Sequence, residues 1–411
     1  MNLGNPERRW PVLRALLEEA VESNAFQRGR LLRDGALPSS WEEFQARVPW
    51  THKSELAADQ QEHPPYGSNL SKPLDRYTRF CQTSGTTARP LAVLDTEESW
   101  EWMLGNWRLG YGLAGVEPGR TAYFAFSFGP FLGFWTAFEA GVRMGLRCLP
   151  GGGLSTVARL EAMRRFGVEV LCCTPTYALH LAGVARAEGV DFSQAPLRRI
   201  LVAGEPGGSL GTVRESLSEA WPQAEVIDHY GMTEVGPVAF AREGEPGRLR
   251  VLEERYVAEV LDPKTGEAVE QGGVGELVLT PLGRSAWPLF RYRTGDLVRA
   301  RWGGGGLELC GGIVGRVDDM VIVRGVNLYP AAVEEVVRAF GEVEEYRVRV
   351  SSRGAMAEVD VEIEVRGGAV GVAGALEKAF ERSFSLRIPV REVSAGTLPR
   401  FEMKARRWVR V

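Results

Sequence analysis

The sequence predicts an α/β protein in which a large N-terminal domain of wound, mostly parallel sheet with a β subdomain precedes a small α+β C-terminal domain. Three observations carry this reading. From about Arg120, apolar runs such as TAYFAFSF, VEVLCCTP and RRILVAGEP alternate with helical stretches such as STVARLEAMRRFG and TVRESLSEAW, the order expected of a wound parallel sheet. After Tyr256 come the short strands YVAEVLD, GELVLT and DLVRARW, separated by turn signals at Asp262-Pro263 and Gly272-Gly273, which predict a mainly β subdomain. Near Gly315 the texture changes again, so domains are expected at residues 1–316 and 317–411.

The elements follow in order. The first 50 residues have apolar positions at helical spacing in WPVLRALLEEAVES and WEEFQARV. DHYGMTEVGP is expected to be turn-rich after the strand-like AEVI, and RYRTGDL to make a turn before a strand. In the C-terminal part DDMVIVRG reads as a strand, and Pro330 stands where the first turn of PAAVEEVVRAF should begin. YRVRVS and MAEVDVEIEV alternate with period two, GALEKAFERSF is a helix and VREV a last short strand.

Composition narrows the function classes. The 411 residues suffice for two or three domains, and 44% hydrophobic with 25% charged residues is ordinary for a globular chain. A net charge of -4 gives no general attraction to nucleic acid or an anionic membrane. The opening MNLGNPERRW is not a signal peptide, and no 18-residue apolar run predicts a membrane span. Five cysteines, odd in number and without CxxC spacing, point to free thiols in a reducing cytoplasm, not to disulfides or zinc. The 4 histidines are scattered, without an HExxH pattern.

Short motifs are then weighed. In QTSGTTARP, Gly85 is flanked by Thr83, Ser84, Thr86 and Thr87, with Arg89 beyond. Hydroxyls and open backbone N–H groups can surround polyphosphate oxygens; a solvated Ser/Thr loop is the competing reading. It is not a GxxxxGK[ST] loop. GYGLAG fits GxGxxG but follows a helical stretch, outside the context of a dinucleotide fingerprint. GGSLG fits the nucleophile elbow and would make Ser209 the nucleophile of a hydrolase, yet Glu205 and Pro206 separate it from its strand, and Asp228 and His229 are adjacent in sequence. Glu234 could hold Mg²⁺ or be a loop acid. Asp296 could take both hydroxyls of a ribose or cap a turn.

TSGTTARP, Gly204-Glu205-Pro206, YGMTE, YRTGD, GRVDDMVIVRGVN and LPRFEMKARR occur in that order. Together they resemble the adenylate-forming superfamily of acyl-CoA synthetases, firefly-type luciferases and peptide-synthetase adenylation domains. DDMVIVRGVNLYPAAVEEVV is most similar to the phenylacetate–CoA ligase branch. The resemblance covers about residues 80–411. It implies attack of a carboxylate on the α-phosphate of ATP, then displacement of AMP by a thiol, usually that of coenzyme A.

By this resemblance Thr83, Ser84, Gly85, Thr86, Thr87 and Arg89 form the phosphate loop. Glu234 is the Mg²⁺ ligand and Thr233 a phosphate contact. Gly204, Glu205 and Pro206, with Asp228, His229, Tyr230, Gly231 and Met232, form the adenine pocket. Asp296 is the ribose clamp and Arg316 a second ribose or phosphate contact. Asp318 is the hinge of a mobile small domain, and Lys404 the lysine that reaches in for adenylation. A fixed cation and a metal suit the charge that gathers on the α-phosphate, and a mobile domain lets the lysine serve one half-reaction and leave for the other.

Two departures are visible. Ala88-Arg89 stands where the family loop has Gly-Lys, and arginine keeps the charge. AFAREGEPGRLRV lacks the Cys and His of some relatives, so no structural zinc is expected. YFAFSFGPFLGFW lies where the family lines its acyl pocket. Tyr123, Phe126, Phe128 and Phe131 are candidate lining residues, with core packing as the alternative, and the absence of a basic residue favours a flat aromatic or other apolar acid. The expected partners are that acid, ATP and coenzyme A, or a carrier protein in place of coenzyme A; a homodimer is left open.

Overall fold

The computed structural model describes residues 6–411 apart from 34, 84–89, 134, 193–194, 206, 305, 320, 324–325, 354–355, 368 and 401–406. The chain opens with helices α1 (Pro6–Ser23), α2 (Ala25–Leu31), α3 (Trp41–Arg47) and α4 (Lys53–Glu62), then the hairpin β1 (Tyr77–Gln82)–β2 (Ala92–Thr96) and α5 (Glu97–Leu113). Strands and helices next alternate: β3 (Thr121–Phe124), α6 (Trp135–Met144), β4 (Arg147–Pro150), α7 (Thr156–Arg165), β5 (Val170–Cys173), α8 (Pro175–Ala187), β6 (Arg199–Val202), α9 (Gly211–Ala220) and β7 (Glu225–Met232). Strands β8 (Gly236–Arg242), β9 (Glu245–Val251), β10 (Tyr256–Leu261), β11 (Val274–Pro281), β12 (Tyr292–Gly303) and β13 (Gly306–Arg316) follow one another. The C-terminal part comprises β14 (Val321–Val323), β15 (Val326–Leu328), α10 (Pro330–Arg338), β16 (Val343–Arg353), β17 (Met356–Val365), α11 (Val372–Phe384), β18 (Val390–Val393) and β19 (Trp408–Arg410).

The helix starts are chemically marked. The Thr96 and Thr174 hydroxyls cap α5 and α8 by accepting from the backbone N–H three residues on. Pro175 and Pro330 occupy first-turn positions, where a missing N–H is harmless.

The parallel and antiparallel parts form one structure. Among the described residues an 11-stranded sheet runs β10-β11-β12-β13-β9-β8-β7-β6-β5-β3-β4. Strands β4, β3, β5, β6 and β7 pair in parallel, while β7 turns antiparallel onto β8. The expected β subdomain is therefore a continuation of the wound sheet, because β7 has ladder partners on both edges. Two local expectations are also corrected. Asp228–Met232 belongs to β7, and only residues 233–235 form the turn; Asp296 lies within β12, beside a register irregularity, and not in a turn before it.

Apolar side chains fill the sheet's surroundings as two large clusters, and a third joins helices α1 and α3 to Val257 and Phe290. One includes Trp107, Phe124, Phe240 and Trp287; the other includes Tyr123, Leu171, Tyr177 and Trp221. The C-terminal residues build a separate core from Val321, Val333, Tyr346, Val361, Leu376 and Phe380 among others. Its sheet order is β18-β17-β16-β19; β16, β17 and β18 are the strands expected from YRVRVS, MAEVDVEIEV and VREV, while β19 follows VREV, the last strand expected. Helix α10 meets the large part through Ala331, which is buried in the second cluster, and through a 3.4 Å hydrogen bond from the Thr212 hydroxyl to the Glu335 carbonyl.

Candidate active site

The ends of β6 and β7 lie beside each other at the switch from parallel to antiparallel pairing, the position where α/β sheets place ligands. After β6 the backbone turns at Gly204, whose φ of +94° favours glycine. The Glu205 carboxylate accepts the Thr176 N–H at 2.8 Å, at the N-terminal end of α8, where the helix dipole favours an anion. Gly208 lies against Asp228 so closely that an added Cβ would stand 2.5 Å from its carboxyl carbon. Asp228 is buried on β7 beside Ser209. Burial pushes its carboxyl up to about 7, against hydrogen bonds from Ser209 and the His229 N–H.

The period of β7 divides its residues between two environments. The His229 ring packs between Trp107, at 4.4 Å, and Phe240, at 4.3 Å, with Nδ1 3.1 Å from the Ala239 carbonyl. Burial drives its pKa down to about 3, so it is neutral. The expected adenine-pocket role therefore does not extend to this ring, which is turned away from Asp228 into the aromatic core. The same geometry removes the hydrolase reading of Ser209, since His229 faces the other side of the strand. Gly231 and Met232 complete the strand; a Cβ at Gly231 would meet the Gly236 carbonyl at 2.7 Å.

Tyr230, Asp296, Arg316 and Asp318 form one chain of contacts. The Tyr230 hydroxyl donates to Asp296 Oδ2 at 2.7 Å, and Arg316 Nη1 donates to Asp296 Oδ1 at 2.7 Å. Arg316 also donates from Nε to Asp318 Oδ1 at 2.9 Å. The residues expected at the ribose and at the hinge thus share one guanidinium. Asp296 is buried, whereas the Asp318 side chain is 67% exposed on a turn.

Glu234 is buried, with its carboxylate 3.0 Å from Lys53 Nζ and 3.3 Å from the Tyr292 hydroxyl. Hard oxygen donors of this kind fit Mg²⁺, which binds through one or two carboxylates together with phosphates and water. Among the described residues no group of three His, Cys, Asp or Glu forms a metal cage. A lone carboxylate suits a cation that travels with its phosphates. The Thr233 and Glu234 carbonyls accept from Arg284 at 2.7 and 2.9 Å.

The remaining candidates divide three ways. Phe126 and Phe128 stand 4.6 Å apart in an aromatic group with Trp135 and Phe138, where the chain leaves β3; the half-buried Phe131 lies in the same segment. Tyr123 instead packs in the other cluster against Gly151, because strand alternation turns it to the opposite face. Thr83 is buried, and its hydroxyl accepts the Leu91 N–H at 3.0 Å. Ser84, Gly85, Thr86, Thr87, Arg89, Pro206 and Lys404 lie outside the described residues. The segments flanking Lys404 are tied down, Arg400 to Glu364 at 2.6 Å and Arg407 to Glu345 at 2.7 Å.

Sequence reasoning missed Lys53 and Arg284. Lys53 reaches the site because Thr51 bonds to the start of β12: its N–H donates to the Arg291 carbonyl at 3.1 Å, and its carbonyl accepts the Arg293 N–H at 3.0 Å. A signal was present, since lysine in a helix's first turn opposes the dipole and calls for a reason. Arg284 carried no such signal.

Known proteins resemble this chain over most of its length. The family model for AMP-binding enzymes matches residues 25–281, and the model for the AMP-binding enzyme C-terminal domain matches 325–410. A phenylacetate-coenzyme A ligase of Pseudomonas putida is 30% identical over 96% of this chain and 91% of its own. That of Thermus thermophilus is 32% identical over 87% and 77%. The solved 2-hydroxyisobutyryl-CoA ligase in its postadenylation state, bound to R3-HIB-AMP, superposes with a TM-score of 0.91 at 26% identity, covering 98% of this chain and 90% of the other. In its thioesterification state the same enzyme gives 0.73 at the same coverage. The chain belongs to the AMP-binding, adenylate-forming enzyme family. Within it, the protein is an AMP-forming acid–thiol ligase of the phenylacetate–CoA ligase-like branch.

Proposed function

We propose that this protein activates an aryl or arylacetic acid with ATP and transfers it from the acyl-adenylate to coenzyme A, releasing pyrophosphate and AMP. The observation that carries the choice of acid is the Phe126–Phe128–Trp135–Phe138 group at the end of β3, two strands from the Asp228 strand's partner β6. Such a surface favours a flat apolar ring. The likeness to phenylacetate-coenzyme A ligases supports the same acid class.

In this reading Gly204 and the Asp228–Tyr230 stretch receive the adenine, and the Asp296 carboxylate accepts from the ribose hydroxyls with Arg316 beside it. Residues 84–89 receive the β- and γ-phosphates. Glu234 would hold Mg²⁺, which when bound neutralises phosphate charge; Lys53 adds a protein cation at the same carboxylate. Lys404 acts on the α-phosphate during adenylation. The division at 316/317 lets residues 317–411 turn about Asp318 between half-reactions. The drop in TM-score between the two states of the solved ligase supports this, since the present pose follows the postadenylation one.

No helix of the described residues is long and apolar enough to cross a membrane. The five free cysteines support a reducing, cytoplasmic setting. The deciding experiment is pyrophosphate release with ATP across a panel of carboxylic acids, followed by coenzyme A or a carrier protein as acceptor. Fastest release with aryl acids and thioester on coenzyme A is expected. Preference for short hydroxy acids, or acyl transfer to a carrier protein alone, overturns it.

A further inference from the structure

Arg284 lies in the connection between β11 and β12, outside every motif above, yet its guanidinium is fully buried. Nε donates to Asp95 Oδ1 at 2.7 Å and Nη2 to Oδ2 at 2.5 Å. Nη1 donates to the carbonyls of both Thr233 and Glu234, at 2.7 and 2.9 Å. Asp95 is also fully buried and sits on β2, the strand that leaves the connection holding TSGTTARP. One cation therefore joins three segments: the strand after the phosphate loop, the turn that carries Glu234, and the approach to the strand that carries Asp296.

A buried ion pair is a poor device for stability alone. Removing both charges from water opposes folding by about as much as their attraction favours it, and an apolar pair of similar volume often does as well. An apolar pair could not satisfy two successive buried carbonyls, nor set the direction of the side chain between them. The bidentate fork of arginine does both, and lysine lacks that fork. The Tyr256 hydroxyl supports the end of the same turn, sharing its one proton between the Val235 and Pro237 carbonyls, each at 2.9 Å. Its backbone is thus held from two sides, leaving the Glu234 carboxylate to meet Lys53 and Tyr292.

We infer that Arg284, anchored by Asp95, is a positioning residue for Glu234, fixing the turn so that its carboxylate meets the cation accompanying ATP. This rests on the reading of Glu234 as the Mg²⁺ ligand. Arg284→Lys keeps a cation beside Asp95 but cannot span both the carboxylate and the two carbonyls. In the full-length protein we would follow thermal melting, calorimetric binding of ATP at stepped Mg²⁺ concentrations, and pyrophosphate release.

The expected result is a folded protein whose half-saturating Mg²⁺ rises about tenfold, with pyrophosphate release reduced by ~10–100-fold, the scale for losing a partner behind a metal ligand. ATP binding without Mg²⁺ should be unchanged. A wild-type Mg²⁺ curve, or an equal loss of ATP binding with and without Mg²⁺, overturns the inference. If Arg284→Lys fails to fold, Asp95→Asn keeps the shape and a hydrogen bond while loosening the anchor, and the same displacement of the Mg²⁺ curve is required. Glu234→Gln separates the two levels. If it leaves the Mg²⁺ curve unmoved, the ligand reading falls; if it moves the curve and Arg284→Lys does not, only the positioning role falls.

Discussion

Around Glu234 and Asp296 the large part of the molecule uses buried side chains held by several bonds each. Arg284 makes four short contacts within 2.9 Å, and Asp296 accepts from Tyr230 and Arg316 at 2.7 Å. The seam with the C-terminal part is made differently. Ala331 enters the large core, the Thr212–Glu335 hydrogen bond is 3.4 Å long, and Asp318 is mostly exposed. Burial raises the Glu334 pKa, opposed by Arg407 and Arg338, and the like charge of Glu205 across the seam raises it further. Nucleotide-binding groups gain from being fixed before charge develops on the phosphate. A domain that must leave between steps gains from a seam that is easily broken.

The largest expected effect tests the side proposed to move. Lys404→Ala should lower pyrophosphate release at least ~100-fold, the scale for one preorganised charge contact to a transition state. Thioester formation from supplied acyl-adenylate should be nearly unchanged. Equal loss in both assays would make Lys404 a general binding residue and remove the asymmetry between the two regions.

The proposed hinge comes next. Proline fixes φ near −65° and restricts the residue before it, so Asp318→Pro should hold the C-terminal part in one pose. It also frees Arg316 from one of its carboxylates. Single-turnover measurements should show thioester formation falling roughly tenfold or more relative to adenylation, as expected when reacting groups are misplaced. If both half-reactions slow alike, rotation about this turn is the wrong account.

Much of this was legible in the sequence for physical reasons, and the gaps are equally physical. The alternating VDVEIEV run and Pro330 marked the C-terminal strands and α10 because period and capping are local. The ordered motifs singled out Asp296, Arg316 and Glu234 as candidates, and the fold brings the first two into contact. The continuous sheet was not legible, since ladder pairing of β7 with β8 is a non-local choice. Tyr123 and His229 turn away from Phe126 and Asp228 because a strand's alternation sends neighbours in a motif to opposite faces, and for Tyr123 this is the core-packing alternative. Arg284 and Asp95, 189 residues apart, leave no local trace at all.

A smaller effect probes the fixed side at its edge. The Lys53 side chain is 47% exposed and pairs with Glu234 at 3.0 Å. The exposed ammonium itself contributes about 0–1 kcal/mol, and the buried Glu234 carboxylate keeps the Tyr292 hydroxyl as a donor, so Lys53→Ala should melt close to the wild type. Its KM for ATP should rise about tenfold, the loss of one charged contact, with kcat changed less. A lowered melting temperature with unchanged KM would make Lys53 structural and leave Arg284 as the cation that matters there.

The smallest expected effect on turnover, and the one that separates binding from stability most cleanly, is at Asp228. Its neighbours are Gly208, Ser209, Val202 and Gly312, and burial raises its carboxyl from 3.8 to about 7. Below pH 4 folded and unfolded chains both carry the proton, and the group has no effect. Between about 4 and 7 the unfolded chain releases it while the folded chain retains it, so this group makes stability fall as pH rises, with the loss complete above 7. Asp228→Asn keeps the shape and removes that proton exchange. It should flatten the descending limb of a stability profile between pH 4 and 7 and stabilise the protein at pH 8 by on the order of 1–3 kcal/mol. Turnover at pH 8 should change less than threefold, since an amide still offers the adenine a donor and an acceptor. Denaturant unfolding at stepped pH decides it: an unchanged limb means the carboxyl is ionised in the folded protein at neutral pH, and the fixed region then holds a buried charge instead of a buried proton.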